Sequence, residues 1–301
     1  MTTAEVETYT AVPMAGLVGG DAVPFPLYLC TGASQWVLYQ PRGAMLDEGH
    51  LGRLKVEGVS YLYVRVQDRR AYFDRVESEL DAVLRDRNVP LRDRADLLHG
   101  LAVGVADDLL GSKPNSAQVQ RARKVMMATS GLLLREDNAF QAVRKVLSAG
   151  PELARHSLTV GFLSMGLWRV CYGGDAASLA MAGLAGLLHD VGRIGHEELD
   201  HDPEHTDRGA QLLRRLGLPG PVVAAAQMHH ECLDGSGYPN GIAGADIPDL
   251  SRLVALLDLF DGVYTGQEPK VGVFEALRVL AQTYRGCFDE RLAQGLVRVF
   301  R

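Results

Sequence analysis

The sequence predicts a mainly α protein, with a small N-terminal α+β domain ahead of an all-helical C-terminal half. Three observations carry that prediction. Aromatic and β-branched runs bounded by Gly, Pro, Ser and Asp cluster between Pro24 and Val66. Apolar residues recur at helical spacing between Val76 and Leu147, and beyond Gly150 the helices become rich in Ala, Gly and Leu. These shifts place an α+β domain at 1–78, a helical connector at 79–148 and an all-helical domain at 149–301.

Element by element, Pro26-Leu27-Tyr28-Leu29-Cys30, Trp36-Val37-Leu38-Tyr39 and Tyr61-Leu62-Tyr63-Val64-Arg65-Val66 read as strands, with a helix over Gln67 to Leu84 packed on them. Breaks fall at Asn88-Val89-Pro90 and at Gly111-Ser112-Lys113-Pro114-Asn115, after which Ser116 is a candidate helix cap. Val119, Val125, Met126, Leu132 and Leu133 read as core positions. The helix Ala176 to Leu188 is built of small and apolar residues, permits close backbone approach and reads as buried on most faces. Further helices are predicted over Asp207 to Leu216, Gly220 to Glu231, Leu250 to Thr265 and Gly272 to Gly286, with a last one from Asp289 to the end.

Composition excludes several classes. The chain has 301 residues, 47% hydrophobic, which suits real cores in one large or two smaller domains. It carries no signal-like N-terminus and no apolar run long enough to span a bilayer, so a cytoplasmic location is expected. A net charge of −6 argues against a nonspecific binder of nucleic-acid polymers. The scattered cysteines, Cys30, Cys171, Cys232 and Cys287, form no CxxC pair, and reduced thiols are expected.

The residues that carry chemistry sit on the apolar helices. Glu152 and His156 are four apart and share a helix face. His189-Asp190 closes the small-residue helix, His205 opens the next, and the pair His229-His230 closes the one after. Asp258 lies within Leu253-Val254-Ala255-Leu256-Leu257-Asp258-Leu259-Phe260, where an ionised carboxylate is costly unless paired or bound to a cation. A metal centre accounts for all of these together, and mixed imidazole and carboxylate donors suit iron, manganese or zinc. There are more donors than one tetrahedral ion needs, so at least two metals are expected. Two neighbouring features carry no chemistry of their own. Nothing near Cys232 marks it as an activated nucleophile, and Gly235-Ser236-Gly237 follows a helix rather than the strand a dinucleotide fingerprint requires.

His189-Asp190-Val191-Gly192-Arg193, His205 with Gly209, His229-His230-Glu231, Asp234-Gly235-Ser236-Gly237-Tyr238-Pro239 and Asp258-Leu259-Phe260-Asp261 together resemble the HD-GYP phosphodiesterases, over roughly Glu152 to Phe300. The resemblance implies an all-helical bacterial domain that binds two or three metal ions, iron foremost and manganese or zinc as alternatives, and hydrolyses cyclic di-GMP to pGpG or GMP. On that reading Glu152, His156, His189, Asp190, His205, His229, His230 and Asp258 are the metal ligands. Asp190 bridges two cations, with a hydroxide between them poised for in-line attack on phosphorus. Arg193 contacts phosphate through its donor fork, Lys270 is a second substrate contact, and Asp261 orients a ligand from outside the coordination sphere. Asp234, Gly235, Gly237, Tyr238 and Pro239 form a structural and partner-contact turn.

The chain departs from the family pattern in three places. Arg193 stands where the family usually has Lys, the segment Ile194 to Glu204 is short, and Gln267 stands where an arginine is common three residues before Lys270. The short segment also holds His196 and His201; His201 is an alternative ligand to His205, which is preferred because Gly209 follows at the family spacing. Expected partners are cyclic di-GMP or a related cyclic dinucleotide, a signalling protein at the turn or the N-terminal domain, and a second copy in a homodimer. A cyclic-dinucleotide receptor of little activity and a hydrolase of another cyclic dinucleotide are the alternatives. No membrane partner is expected.

Overall fold

A computed structural model describes residues 8–17, 19–32, 35–144, 152–196, 202–266 and 272–300. The chain divides into two compact units, Met1–Gly104 and Val105–Arg301.

The first unit holds strands β1 (Tyr9–Pro13), β2 (Leu27–Gly32), β3 (Gln35–Gln40) and β4 (Tyr61–Arg65), with helices α1 (Glu48–Val56), α2 (Arg69–Arg85) and most of α3 (Leu91–Leu110). The strands form one antiparallel sheet in the order β1-β4-β2-β3. Period-two alternation in β4 decides its faces: Leu62 and Val64 are fully buried, and Tyr61, Tyr63 and Arg65 are half-buried on the other side. Helix α2 turns Tyr72, Phe73, Val76, Leu80, Val83 and Leu84 inward at helical spacing, and the Tyr72 hydroxyl donates to the Pro13 carbonyl at 2.6 Å. On the outer face Trp36 stacks on Tyr9 and packs against Tyr63, centroids 4.7 and 4.5 Å apart. The three strands read from the sequence are present. Two elements are not foreseen by the sequence pattern: β1, a five-residue polar-apolar run with few β-branched residues, and α1.

The second unit is helical throughout its described residues: α4 (Ser116–Arg135), α5 (Ala139–Arg144), α6 (Glu152–Tyr172), α7 (Ala176–Leu188), α8 (His205–Arg215), α9 (Gly220–Met228), α10 (Asp249–Gly266), α11 (Val273–Thr283) and α12 (Glu290–Val299). The α4 cap is Asn115, not Ser116. Its side chain accepts from Ala117 and Gln118 while the Gln118 side chain accepts from the Asn115 N–H, a reciprocal box that a serine one residue later does not make. Helices α6, α4 and α9 surround α7, whose Leu179, Ala182, Leu184, Ala185, Leu187 and Leu188 are buried. Contact between α6 and α7 is close because Gly186 has no side chain: a Cβ there would lie 2.7 Å from the Val160 carbonyl. No described helix is long and apolar enough to cross a membrane.

Candidate metal centre

Each site residue is placed by a helix end or a single helix face. The apolar run of α7 stops at His189-Asp190, which lead into a 3-10 turn over Val191–Arg193. That turn closes onto the start of α8 at Gly192, where a Cβ would lie 1.9 Å from the His205 carbonyl and 2.6 Å from the Gly209 nitrogen. Only glycine lets the two segments meet, and their meeting brings His205 to Asp190. Asp202 and Arg208 brace the junction: the Arg208 guanidinium pairs with the Asp202 carboxylate and donates to the Gly192 carbonyl. Helix α9 ends at His229-His230, α6 presents His156, and α10 presents Asp258 and Asp261 three residues apart on one face.

These side chains gather into two adjoining groups of metal-ligating atoms, Asp190 with His205, His229 and His230, and His156 with His189 and Asp258, each group within 4.8 Å. The groups interlock. Asp190 Oδ1 lies 3.2 Å from His205 Nε2 and 3.5 Å from His229 Nε2, while its Oδ2 lies 3.7 Å from His189 Nε2. Asp258 likewise reaches His156 Nε2 at 3.1 Å, His189 Nε2 at 3.6 Å and His230 Nδ1 at 3.8 Å.

The far side of four imidazoles is occupied. His189 Nδ1 meets the Gly186 carbonyl at 2.7 Å, His229 Nδ1 the Ala226 carbonyl at 2.9 Å, His205 Nδ1 the Asp202 carbonyl, and His156 Nδ1 the Asp261 carboxylate at 2.8 Å. With Nδ1–H donating outward, the Nε2 lone pairs of His205 and His229 are left facing one another at 3.2 Å, and His156 Nε2 lies 3.3 Å from His189 Nε2. Opposed lone pairs repel, and a cation between them removes the repulsion. Two buried polar atoms at the same spot, Asp190 Oδ1 and His230 Nε2, have no hydrogen-bond partner. The donor set and its orphaned atoms fit divalent metal ions.

The protonation preferences of these side chains follow from burial and charge. Burial and the neighbouring His229 push His230 down to about 2, and burial likewise lowers His229. Burial alone would lower His156 too, but the hydrogen bonds to Asp258 and Asp261 outweigh it and push it up to about 10. Burial opposes ionisation of Asp190 and Asp258, yet the histidines around them hold both carboxyls well below the usual carboxylate range.

A cavity of about 700 Å³ opens on this centre, lined by Arg155 and His156 of α6, Asp190, Arg193 and His196 after α7, Asp261 and Thr265 of α10, and Asp107, Leu110 and Gly111 at the end of α3. Arg193 Nε donates to Asp190 Oδ2 at 2.9 Å. Of the residues selected from sequence, His156, His189, Asp190, His205, His229, His230, Asp258, Asp261 and Arg193 come together here. Asp261 is 1% exposed and buried against His156 and Arg155. Glu152 begins α6, but its side chain, like Lys270, Gln267 and His201, lies outside the described residues.

The turn after His230 holds the histidine pair from behind. Tyr238 stacks on His230, centroids 4.7 Å apart, and its N–H donates to the His230 carbonyl at 3.1 Å; the following Tyr238-Pro239 peptide is cis. Asp234 is an exposed turn residue that accepts from the Ser236 N–H and hydroxyl, and Gly235 takes a positive φ of 79°. Glu231, 3% exposed, accepts from the Asn240 and Ile242 amides and ties the turn shut. The expectation of reduced thiols is corrected at this turn, where Cys232 and Cys287 form a disulfide. Their 55-residue separation hid the pair; the Leu233 N–H to Cys287 carbonyl bond brings the α9 turn and the segment before α12 together.

Glu231 falls in the quoted His229-His230-Glu231 run without a role assigned to it there, and Arg155 and Asp107, which line the cavity, were not singled out from the sequence. Arg155 shares a helical turn with His156, a signal that could have found it, whereas no signal marks Asp107.

Comparisons with known proteins agree with this geometry. Residues 177–292 match the HD domain family model. The chain is 31% identical over 185 residues to a cyclic di-GMP phosphodiesterase of Pseudomonas aeruginosa, covering 56% of this chain and 44% of that one. It is 31% identical over 150 residues to a cyclic di-GMP phosphodiesterase of Thermotoga maritima, covering 43% and 40%. It is 38% identical over 81 residues to 3'3'-cGAMP-specific phosphodiesterase 2 of Vibrio cholerae, covering 26% and 15%. The chain thus matches less than half the length of each of these relatives. Among solved structures, the HDG"Y"P protein Bd1817 of Bdellovibrio bacteriovorus shares the fold with a TM-score of 0.69 and 21% identity, over 97% of this chain and 99% of that one. The His189-Asp190 pair, His205, His229, His230, Asp258 and the Gly-Tyr-Pro turn behind His230 all fall within the segment that matches the HD domain family.

Proposed function

We propose that the protein is a metal-dependent phosphodiesterase that hydrolyses cyclic di-GMP to pGpG, and pGpG onward to GMP. The observation that carries this reading is the pair of interlocked His/Asp groups at the mouth of a cavity that also holds two arginines. Asp190, His205, His229 and His230 would hold one ion, and His156, His189 and Asp258 a second, with Asp190 between them and Glu152 a ligand to a third. Iron or manganese suits these mixed donors, with zinc the alternative. When bound, the metals lower the pKa of water and neutralise charge on phosphate oxygens.

The protein's own groups do the rest. Asp261 keeps the His156 proton on Nδ1, so that Nε2 faces the metal. Arg193 fixes Asp190 through one guanidinium edge and has its remaining donors for a phosphate oxygen. Arg155, which lines the cavity 3.7 Å from Asp261, supplies a second guanidinium. Hydrolysis forms a bond from water oxygen to phosphorus and breaks the bond from phosphorus to the 3' oxygen, which leaves as the hydroxyl of linear pGpG.

Iron- or manganese-loaded protein kept anaerobic and given cyclic di-GMP is expected to yield pGpG and then GMP, and Asp190→Asn to yield neither. No turnover by fully loaded protein overturns the reading. The 38% match to a 3'3'-cGAMP-specific enzyme makes cyclic GMP-AMP the second substrate to assay. A tightly bound dinucleotide that is never cleaved would identify a receptor instead.

A further inference from the structure

Outside the candidate metal centre, the described residues bring three further metal-ligating side chains together. Cys232 and Asp234 come from the turn after α9 and Cys287 from the segment between α11 and α12, and one donor atom of each lies within 4.8 Å of the others. While Cys232 and Cys287 are joined as a disulfide, they offer no thiolate to an ion. Reduction changes that. Two thiolates and a carboxylate are a donor set for zinc, whose sulfur ligands stand about 2.3 Å from the ion and so about 3.8 Å from each other in a tetrahedron. The three donors already lie close to that spacing.

Main-chain hydrogen bonds hold these donors in place without help from the sulfur–sulfur bond. The Leu233 N–H donates to the Cys287 carbonyl at 3.1 Å, the Gly235 N–H to the Cys232 carbonyl at 2.9 Å, and the Cys287 N–H to the Tyr284 carbonyl at 3.1 Å. Asp234 is aimed by its own turn. Its Oδ1 accepts from the Ser236 N–H at 2.9 Å and from the Ser236 hydroxyl at 2.6 Å. Its Oδ2 accepts from no described residue and lies over Gly286, where an added Cβ would come within 3.1 Å of it. The carboxylate oxygen without a hydrogen bond is thus the one beside the second cysteine. Asp234 is exposed and both cysteines are half-buried, so a reductant and an aqueous ion can reach all three.

We propose that reduced Cys232 and Cys287, with Asp234, form a zinc site separate from the His/Asp centre, so that this turn exchanges a disulfide for a bound ion according to the thiol redox state around it. A dithiol reductant gives two electrons and two protons to the sulfur–sulfur bond and leaves as its own disulfide, while the protein gains two thiols. Zinc displaces both thiol protons to solvent and binds two thiolates and Asp234 Oδ2, with water completing the tetrahedron. Soft sulfur donors suit zinc better than the harder cations that imidazole and carboxylate hold. None of the three residues belongs to the two His/Asp groups, so the site stands whether or not the protein cleaves a dinucleotide.

Cobalt(II) is the probe, because it occupies zinc sites and shows a thiolate-to-cobalt charge-transfer band in the near ultraviolet that imidazole and carboxylate ligands do not produce. The full chain is reduced anaerobically with a dithiol, freed of it by gel filtration and titrated with cobalt(II). Reduced protein is expected to develop the band and to lose it when zinc is added, and the disulfide form to show none. Asp234→Asn, which leaves both cysteines in place, is expected to weaken cobalt binding read from that band by about tenfold or more. Absence of the band in the reduced protein overturns the proposal. So does an equal band in the disulfide form, which would assign it to the free thiols Cys30 and Cys171. An unchanged titration of Asp234→Asn removes the carboxylate and with it the three-donor site.

Discussion

At the scale of single residues, the candidate metal centre is held by groups outside its two His/Asp clusters. Asp261 is buried, accepts from His156 and sits beside Arg155, so its charge fixes which imidazole nitrogen faces the cavity. Asp261→Asn is expected to weaken metal binding by about tenfold to a hundredfold, measured by competition with a chromophoric chelator, with the circular dichroism of the helices unchanged. Wild-type affinity in that variant would show that His156 needs no orienting partner. The candidate ligands were legible in the sequence because a His-Asp pair, a His-His pair and one acid in an apolar helix seldom occur together except around a metal. Asp107 and Arg155 were not legible, since a lone acid or arginine on an amphipathic helix is ordinary, and only the cavity gives them a shared address.

Helices and turns set the next scale. The approach of the turn after α7 to the start of α8 depends on the bare backbone of Gly192. Gly192→Ala is expected to destabilise the protein by about 1–3 kcal/mol, the usual cost of overpacking, and to lower metal affinity by displacing His205. Gly220→Ala at the start of α9, where an added Cβ meets nothing within 4 Å, is expected to shift stability by no more than about 0.5 kcal/mol. Thermal denaturation and metal titration of the two variants side by side test the point, and equal behaviour would sink it. Helix ends were harder to read than helix interiors. Asn115 displaced Ser116 as a cap because capping depends on a reciprocal partner, Gln118, as well as on residue type. Strand β1 was not legible because its pairing with β4 is long-range and leaves little local trace.

On the scale of the whole molecule, two features bear on stability. The Cys232–Cys287 disulfide closes a 55-residue loop that contains all of α10 and α11. Opening it is expected to cost about 4 kcal/mol by loop entropy. Denaturant unfolding with and without a dithiol reductant measures this, and coincident midpoints would show that the bridge contributes nothing. In the first unit, burial lowers the His99 pKa to about 4, outweighing the pull of Asp96 in the other direction. A folded-state pKa below the unfolded value of about 6.5 means that the unfolded chain takes up the proton first, so this stability is present above pH 6.5 and is lost as pH falls toward 4. From pH 7.5 to pH 5 the loss is expected to be about 2 kcal/mol, and His99→Leu should remove most of it, read from Trp36 emission during urea unfolding.

The backbone carbonyls behind the ligands carry a further consequence. Those that receive Nδ1 of His189, His205 and His229 belong to Gly186, Asp202 and Ala226, each three residues earlier in the same stretch of chain. Each of these contacts is complete within four residues of chain. The side of each ring that faces the cluster is thus set by its own stretch of chain, and helix packing sets the distances between the rings.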